Sequence, residues 1–281
     1  MFDLIIKNGK VIDGSGDEGK VCDICIKGEK IKEIGIIPKN RSENFIDATD
    51  KIVCPGFIDI HSHSDFTILA NPKSESKIFQ GITTEVCGNC GVSGAPFFGM
   101  SLEKQLSILK ELNLNLKWNK IDEYFNLISS CKKALNFATL IGHGNLRASV
   151  LGYESRKAKE EEIIFMENLL KEALKKGVWG FSSGLLYPPG IYASTYELIN
   201  LAKVTSYYKG IYATHIRSEG DKIISAIKEA IKVAKEGGVP LLISHLKILY
   251  KRNWEKISEV INTIENEMAM GIKINADCYP Y

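Results

Sequence analysis

From residue 52 onward the chain repeats one rhythm, a short β-branched or aromatic run followed by a stretch with apolar residues at helical spacing. That alternation is the pattern of βα units, whose strands lie parallel in one sheet. Strand-like runs fall at 52–60, 82–86, 137–141, 178–181, 211–214, 240–244 and 272–277. Ile52, Val53, Phe57, Ile58 and Ile60 give the first the character of a short buried strand. Helical spacing is plainest over 158–176 (Ile163, Met166, Leu170, Ala173), 219–236 (Ile223, Ile227, Ala230, Ile231, Ala234) and 254–270 (Ile257, Val260, Ile261, Ile264, Met268). Further helices are expected near 102–112 and 121–133 and from Pro72, capped by Asn71 and ended by Gly81. Ser194-x-x-Glu197 reads as a capping box. The expected fold class is α/β, a TIM-like (β/α)8 barrel that is incomplete at about seven strands, over 52–281.

Residues 1–51 read differently, as short strands at 4–6, 10–12, 23–27 and 30–34, punctuated by Asn8-Gly9, Asp13-Gly14-Ser15-Gly16 and Gly28-Glu29. Such a run predicts a small antiparallel β unit, half of a β-sandwich, too small to be stable alone.

Composition narrows the functional classes. Charge is nearly balanced, 36 basic against 34 acidic residues with Lys and Glu interspersed, which argues against nucleic acid or an anionic membrane surface as partner. The opening residues have no signal-peptide character and no window approaches the roughly 18 apolar residues of a membrane span, so a cytoplasmic location is expected. Seven cysteines in such a chain read as reduced thiols. The pairs Cys22/Cys25 and Cys87/Cys90 do not suggest a shared four-thiolate site, because positions i and i+3 of the strand-like 21–26 run face opposite sides.

The chemistry lies in the placement of the histidines. His61 and His63 stand at i and i+2 after the first strand, so on extended backbone they project toward one spot, half of a divalent-metal site. His143, His215 and His245 follow the third, fifth and sixth strands. In a barrel those ends form one ring, where residues distant in sequence converge. Cys90, after the second strand, joins them, and a thiolate with several imidazoles suits zinc. His143, flanked by glycines, is open to three readings, a ligand, a pocket-wall hydrogen-bond donor or a structural residue, the ligand being the less favoured.

These residues resemble a known family. The segments are 2–13, Pro55-Gly-Phe-Ile-Asp-Ile-His-Ser-His63, Gly81-Ile-Thr-Thr-Glu-Val-Cys-Gly-Asn-Cys-Gly91, Gly180-Phe-Ser-Ser-Gly-Leu-Leu-Tyr-Pro-Pro-Gly190, Thr214-His-Ile-Arg-Ser-Glu219 and Ser244-His-Leu-Lys247. Together they are similar to the amidohydrolase superfamily, in its D-aminoacylase (N-acyl-D-amino-acid deacylase) branch, across the whole chain.

The resemblance implies one or two zinc ions, with His61 and His63 at one position and Cys90, His215 and His245 at a second, tighter one. Cys90 would replace the carboxylated lysine that many relatives carry after strand four, where this chain has Phe181-Ser182-Ser183. Tyr187, Lys247 and one of Tyr279 or Tyr281 match substrate-pocket positions, and Arg217 is added on charge as a clamp for a substrate carboxylate. The implied reaction is zinc-dependent hydrolysis of the amide of a small N-acyl-D-amino acid, releasing a carboxylate and a D-amino acid. The family's proton-shuttle aspartate belongs after an eighth strand. Asp277 ends the seventh, and would be that aspartate only on a count one higher.

The chain is therefore expected to be a fragment that binds metal with little turnover by itself, its open barrel edge covered by a missing C-terminal segment or by self-association. The alternatives are a cyclic-amide hydrolase of the dihydroorotase or hydantoinase type, which the absent lysine disfavours, and a catalytically inactive metal-binding module.

Overall fold

The computed structural model describes residues 1–38, 41–115 and 117–279, and the chain falls into two compact units, Met1–Phe57 and Ile58–Tyr281. In the first, β1 (Leu4–Val11) pairs antiparallel with β2 (Lys20–Lys27), which pairs antiparallel with β3 (Lys30–Gly35). The short β4 (Phe45–Asp47) and β5 (Ile52–Val53) lie parallel to β1, so the sheet is mixed rather than antiparallel.

Asn8-Gly9 makes a bulge inside β1 instead of the expected hairpin turn. The register shifts between Ile6 and Gly9, and Asn8 takes φ 62°. A Cβ on Gly9 would lie 2.5 Å from Val53 Cγ2, so glycine is what lets β5 run alongside. Beneath the sheet Lys7 is buried, its ammonium bonded to Asp23 at 2.9 Å and to the Ile37 carbonyl at 2.6 Å. Removing either partner would strand a buried charge.

The unit boundary falls within β6 (Phe57–Asp59), so the strand expected at 52–60 is divided: Ile52 and Val53 pair with β1. Nor is it buried. Phe57 and Ile58 are 59% and 61% exposed. Two short helices follow, α1 (Thr67–Ala70) and α2 (Glu75–Ile78), in place of the single helix expected from Pro72. Asn71 is the C-cap of the first, and its amide donates to Glu75 of the second.

Next come β7 (Ile82–Cys87), α3 (Met100–Glu111), α4 (Ile121–Ser130), β8 (Asn136–Thr139) and β9 (Ile141–Gly142). They continue into α5 (His143–Leu151), α6 (Glu160–Lys175), β10 (Gly180–Gly184), α7 (Thr195–Tyr207) and β11 (Ile211–His215). The chain closes with α8 (Ile223–Gly237), β12 (Leu241–Ile243), α9 (Ile257–Ala269) and β13 (Ile274–Ala276). Strand order is β6-β7-β8 in one sheet and β13-β12-β11-β10-β9 in the next. The two meet at Leu140, whose N–H donates to Cys87 O at 2.9 Å between β8 and β9. The β7–β8 pair and every pair from β9 to β13 are parallel, as in a TIM-like barrel.

Side chains from alternate positions separate into two cores. Val86 of β7, Leu140 between β8 and β9, Ala213 of β11 and Leu242 of β12 form a small inner cluster. Met166, Leu170, Phe181, Leu198, Tyr212, Ile227 and Ile243 are fully covered between sheet and helices. Because Ala213 points inward, His215 two residues on points inward at the barrel mouth.

Helix α5 had no sequence signal. Residues on several of its faces are buried (His143, Asn145, Leu146, Arg147, Ala148, Leu151), so no apolar stripe alternates with a wet one. Strand β10 includes Ser182 and Ser183, which read as loop; both are buried because their hydroxyls find partners in Gly91 N–H, Tyr212 and Thr214. The 194–197 capping box is half made. Ser194 Oγ accepts from Glu197 N–H at 3.2 Å, while the Glu197 side chain turns inward to His143 and Arg147.

The start of α6 offers a test of local electrostatics. Glu162 accepts from Lys159 N–H at 2.7 Å and from the Arg156 fork at 2.8 and 2.6 Å. The Arg156 hydrogen bonds hold its carboxyl below the usual 4.5, at about 2. A lowered carboxylate contributes stability that is full above its unfolded value and is lost as pH falls toward its folded one. Glu162→Gln should therefore cost about 1 kcal/mol at pH 7. Urea unfolding at pH 7 and at pH 3 should show the deficit shrinking at the lower pH.

Candidate metal centre

The C-terminal ends of the strands carry the site. Asp59 Oδ1 accepts from His61 N–H at 3.0 Å, and Ser62 N–H donates to Val86 O at 3.0 Å, which fixes the turn after β6 beside β7. The Cys87-Gly-Asn-Cys-Gly91 loop turns back on itself through left-handed residues, with φ 76° at Gly88 and 52° at Cys90. A Cβ on Gly88 would meet Leu140 O at 2.0 Å, which only glycine avoids. The buried Asn89 amide donates to Val86 O at 2.9 Å and locks the loop from inside. This places Cys90 Sγ 3.3 Å from His61 Nε2 and 3.4 Å from His245 Nε2.

Each of the three inward imidazoles is held from behind. His61 Nδ1 lies 3.1 Å from the Asp277 carboxylate, His245 Nδ1 2.8 Å from Glu219 Oε1, and His215 Nδ1 2.8 Å from Tyr187 OH. Held at Nδ1, all three are free to direct Nε2 toward a shared centre, the arrangement of metal-ligating histidines. His215 Nε2 is buried without a hydrogen-bond partner.

The electrostatics agree. Burial opposes ionisation of Cys90, but the surrounding imidazoles of His215, His245, His61 and His63 outweigh it and hold the thiol far below its ordinary range. Burial likewise disfavours charge on His61 and His245; hydrogen bonds to Asp277 and Cys90 for the first, and to Cys90 and Glu219 for the second, raise both to about 9.

The donors suit a small divalent ion. Metal–sulfur and metal–nitrogen bonds of about 2.3 and 2.05 Å at a tetrahedral angle put sulfur and nitrogen about 3.6 Å apart. The observed 3.3 and 3.4 Å are within a few tenths of that. Two donor groups lie within 4.8 Å, His61–Cys90–His245 and His215–Glu219–His245. The grouping differs from that implied by the resemblance, since Cys90 stands with His61 as well as His245. His63 flanks His61, ring centroids 5.3 Å apart, is exposed, and belongs to neither group.

Lys247 Nζ sits 2.5 Å from Glu219 and 5.3 Å from the centroid of the Tyr279 ring, which stacks on His245. Tyr281 lies outside the described residues. Arg217 is a correction. Its guanidinium donates to Glu229 at 2.8 and 3.0 Å and to the carbonyls of Ile191 and Ala193, so its donors tie a loop to α8 instead of facing a substrate carboxylate. His143 is fully buried with Nε2 2.7 Å from Glu197, a structural partner. Asp277 and Glu219 are the residues whose roles sequence reasoning missed. Their position just after a strand and four residues after His215 was the available signal.

Residues 44–277 match the model of an amidohydrolase family, and the chain belongs to that family. It is 36% identical to a D-aminoacylase of Alcaligenes xylosoxydans xylosoxydans over 280 residues, all of this chain and 57% of that protein. It is also 36% identical over 281 residues to an N-acyl-D-glutamate deacylase of the same organism, again spanning 57% of it. The N-acyl-D-glutamate deacylase of Bordetella bronchiseptica, solved with zinc and a phosphonate mimic of the tetrahedral intermediate, superposes with a TM-score of 0.93 at 32% identity, over all of this chain and 59% of that one. The chain thus spans somewhat more than half the length of these relatives.

Zinc content after loading and dialysis should fall sharply in Cys90→Ala and His215→Ala. Asp277→Asn should bind about 10- to 100-fold more weakly while folding normally. Unchanged metal in the first two variants would remove both residues from the ligand set.

Proposed function

We propose that this chain serves the zinc-dependent hydrolysis of N-acyl-D-amino acids, with one or two zinc ions held by His61, Cys90, His215 and His245 and with His63 at the open side. The observation that carries the reading is the buried thiol between two imidazole Nε2 atoms, each ring fixed from behind, on the barrel's catalytic face. Zinc bound there would supply water of lowered pKa and polarise the amide carbonyl. The zinc phosphonate complex of the Bordetella relative supports the metal and the amide chemistry.

The chain's own residues account for binding and orientation. Lys247, partly exposed beside Glu219 and Tyr279, is placed to receive the substrate carboxylate. Tyr187 OH steadies His215. Asp277 and Glu219 are each committed to an imidazole, so neither is free to carry the proton to the leaving amine. The cyclic-amide alternative loses support, because the position of its lysine is filled by buried, hydrogen-bonded Ser182 and Ser183. The cytoplasm is the proposed location, which the seven unpaired cysteines favour. Among the described residues no helix is long and apolar enough to cross a membrane.

The native polypeptide, loaded with zinc, should hydrolyse N-acetyl-D-methionine or N-acetyl-D-glutamate and leave the L-enantiomers intact; equal hydrolysis of both hands would overturn the assignment. Lys247→Gln should raise KM about 10- to 100-fold, with a smaller effect on kcat, as expected for loss of a charge-assisted hydrogen bond.

A further inference from the structure

A small pocket, part of it continuous with solvent, opens beside the metal centre, and Cys90 and Tyr187 belong to both. We propose that this pocket receives the acyl chain of the substrate and favours straight apolar acyl groups. The inference rests on the deacylase reading and adds the acyl specificity to it.

The substrate of that reading has two arms. One side of the scissile amide carries the amino acid with its carboxylate, and the other carries the acyl chain. The cationic side of the centre, Lys247 and Tyr279, follows β12 and β13 and contributes nothing to the wall of this pocket. The wall comes from the opposite half of the ring, from segments that follow β6, β7, β9 and β10, including Phe97, Ile108, Ala148 and Pro189. With the carboxylate on Lys247 and the carbonyl at the centre, the acyl arm extends into that half.

The chemistry of the wall selects the ligand. Its buried Asn145, Ser101 and Gln105 side chains already have partners. The Asn145 amide accepts from Ser93 N–H at 3.2 Å and donates to Ser93 O at 2.9 Å; Ser101 Oγ donates to Phe98 O at 2.7 Å; and Gln105 Nε2 donates to Trp118 O at 3.3 Å. Against this buried part of the wall a polar acyl group would exchange water for donors and acceptors already in use. An alkyl chain would gain burial. Lys104 is exposed, with its ammonium 6.0 Å from the centroid of the Tyr153 ring.

The test uses the zinc-loaded native polypeptide with N-acetyl-, N-butanoyl- and N-hexanoyl-D-methionine. kcat/KM should climb about three- to fourfold per methylene over the first carbons, the ratio that corresponds to burying one CH2. Ile108→Phe, which narrows the pocket, should collapse the hexanoyl-to-acetyl ratio. A flat series in wild type, or an Ile108→Phe effect that follows the amino-acid side chain at constant acetyl, overturns the proposal. Calorimetric binding of acetate, butanoate and hexanoate separates the two readings. If no N-acyl substrate is cleaved yet hexanoate binds tighter than acetate, and Ile108→Phe removes the difference, the deacylase reading falls and the chain-binding pocket stands.

Discussion

The site depends on a buried thiolate that three imidazoles surround. A charge on Cys90 at that depth is tolerable only because hydrogen-bond donors face it at 3.3 and 3.4 Å. Those donors are themselves held by Asp277, Glu219 and Tyr187, so geometry and charge are set together. Cys90 with Asp277 raises His61, and Cys90 with Glu219 raises His245, each to about 9. A divalent ion bound among these ligands would take the place of protons, so its affinity would depend on pH. The same carboxylates that raise the imidazoles also make them better ligands once the protons leave.

Backbone conformation is the second requirement. Cys90 and His245 both have positive φ, 52° and 38°, unusual for residues with a Cβ. Such strain persists where the surroundings over-determine it, and it clusters at functional sites. Here Asn89 fixes the first turn from inside, and His245 N–H donating to Asp277 Oδ1 at 2.6 Å fixes the second. Asp277 thus acts twice, on the ring of one donor and on the backbone of another, although 216 residues separate it from His61.

The barrel and the donor ring were readable because both rest on local signals: β-branched runs, helical apolar stripes, and a histidine or cysteine directly after a strand. What escaped depends on tertiary neighbours. Helix α5 is covered on several faces and so lacks a stripe, while Ser182 and Ser183 sit in a strand only because distant hydroxyls and amides satisfy them. Asn8-Gly9 has hairpin chemistry, yet the parallel strand β5 beside Gly9 makes it a bulge. Arg217 looked available for a substrate because Glu229, twelve residues on, gives no sequence sign of taking it. The second layer of the metal centre was missed for the same reason: a carboxylate's partner is a property of the fold.

Among the described residues two clusters combine a cation, a carboxylate and a histidine, and their differences explain why one is structural. In the first, Arg147 and His143 share Glu197 in a site with all three side chains fully covered. His143 uses Nε2 for the carboxylate, and its Nδ1 is buried, 3.8 Å from where a Cβ on Gly190 would stand. In the second, Lys247 and His245 share Glu219, but the histidine uses Nδ1 and keeps Nε2 for Cys90. Lys247 remains 27% exposed, so its ammonium can still meet a ligand. A cation, a carboxylate and a histidine are thus closed off or open to a ligand according to which imidazole nitrogen the carboxylate takes and whether the cation can reach solvent.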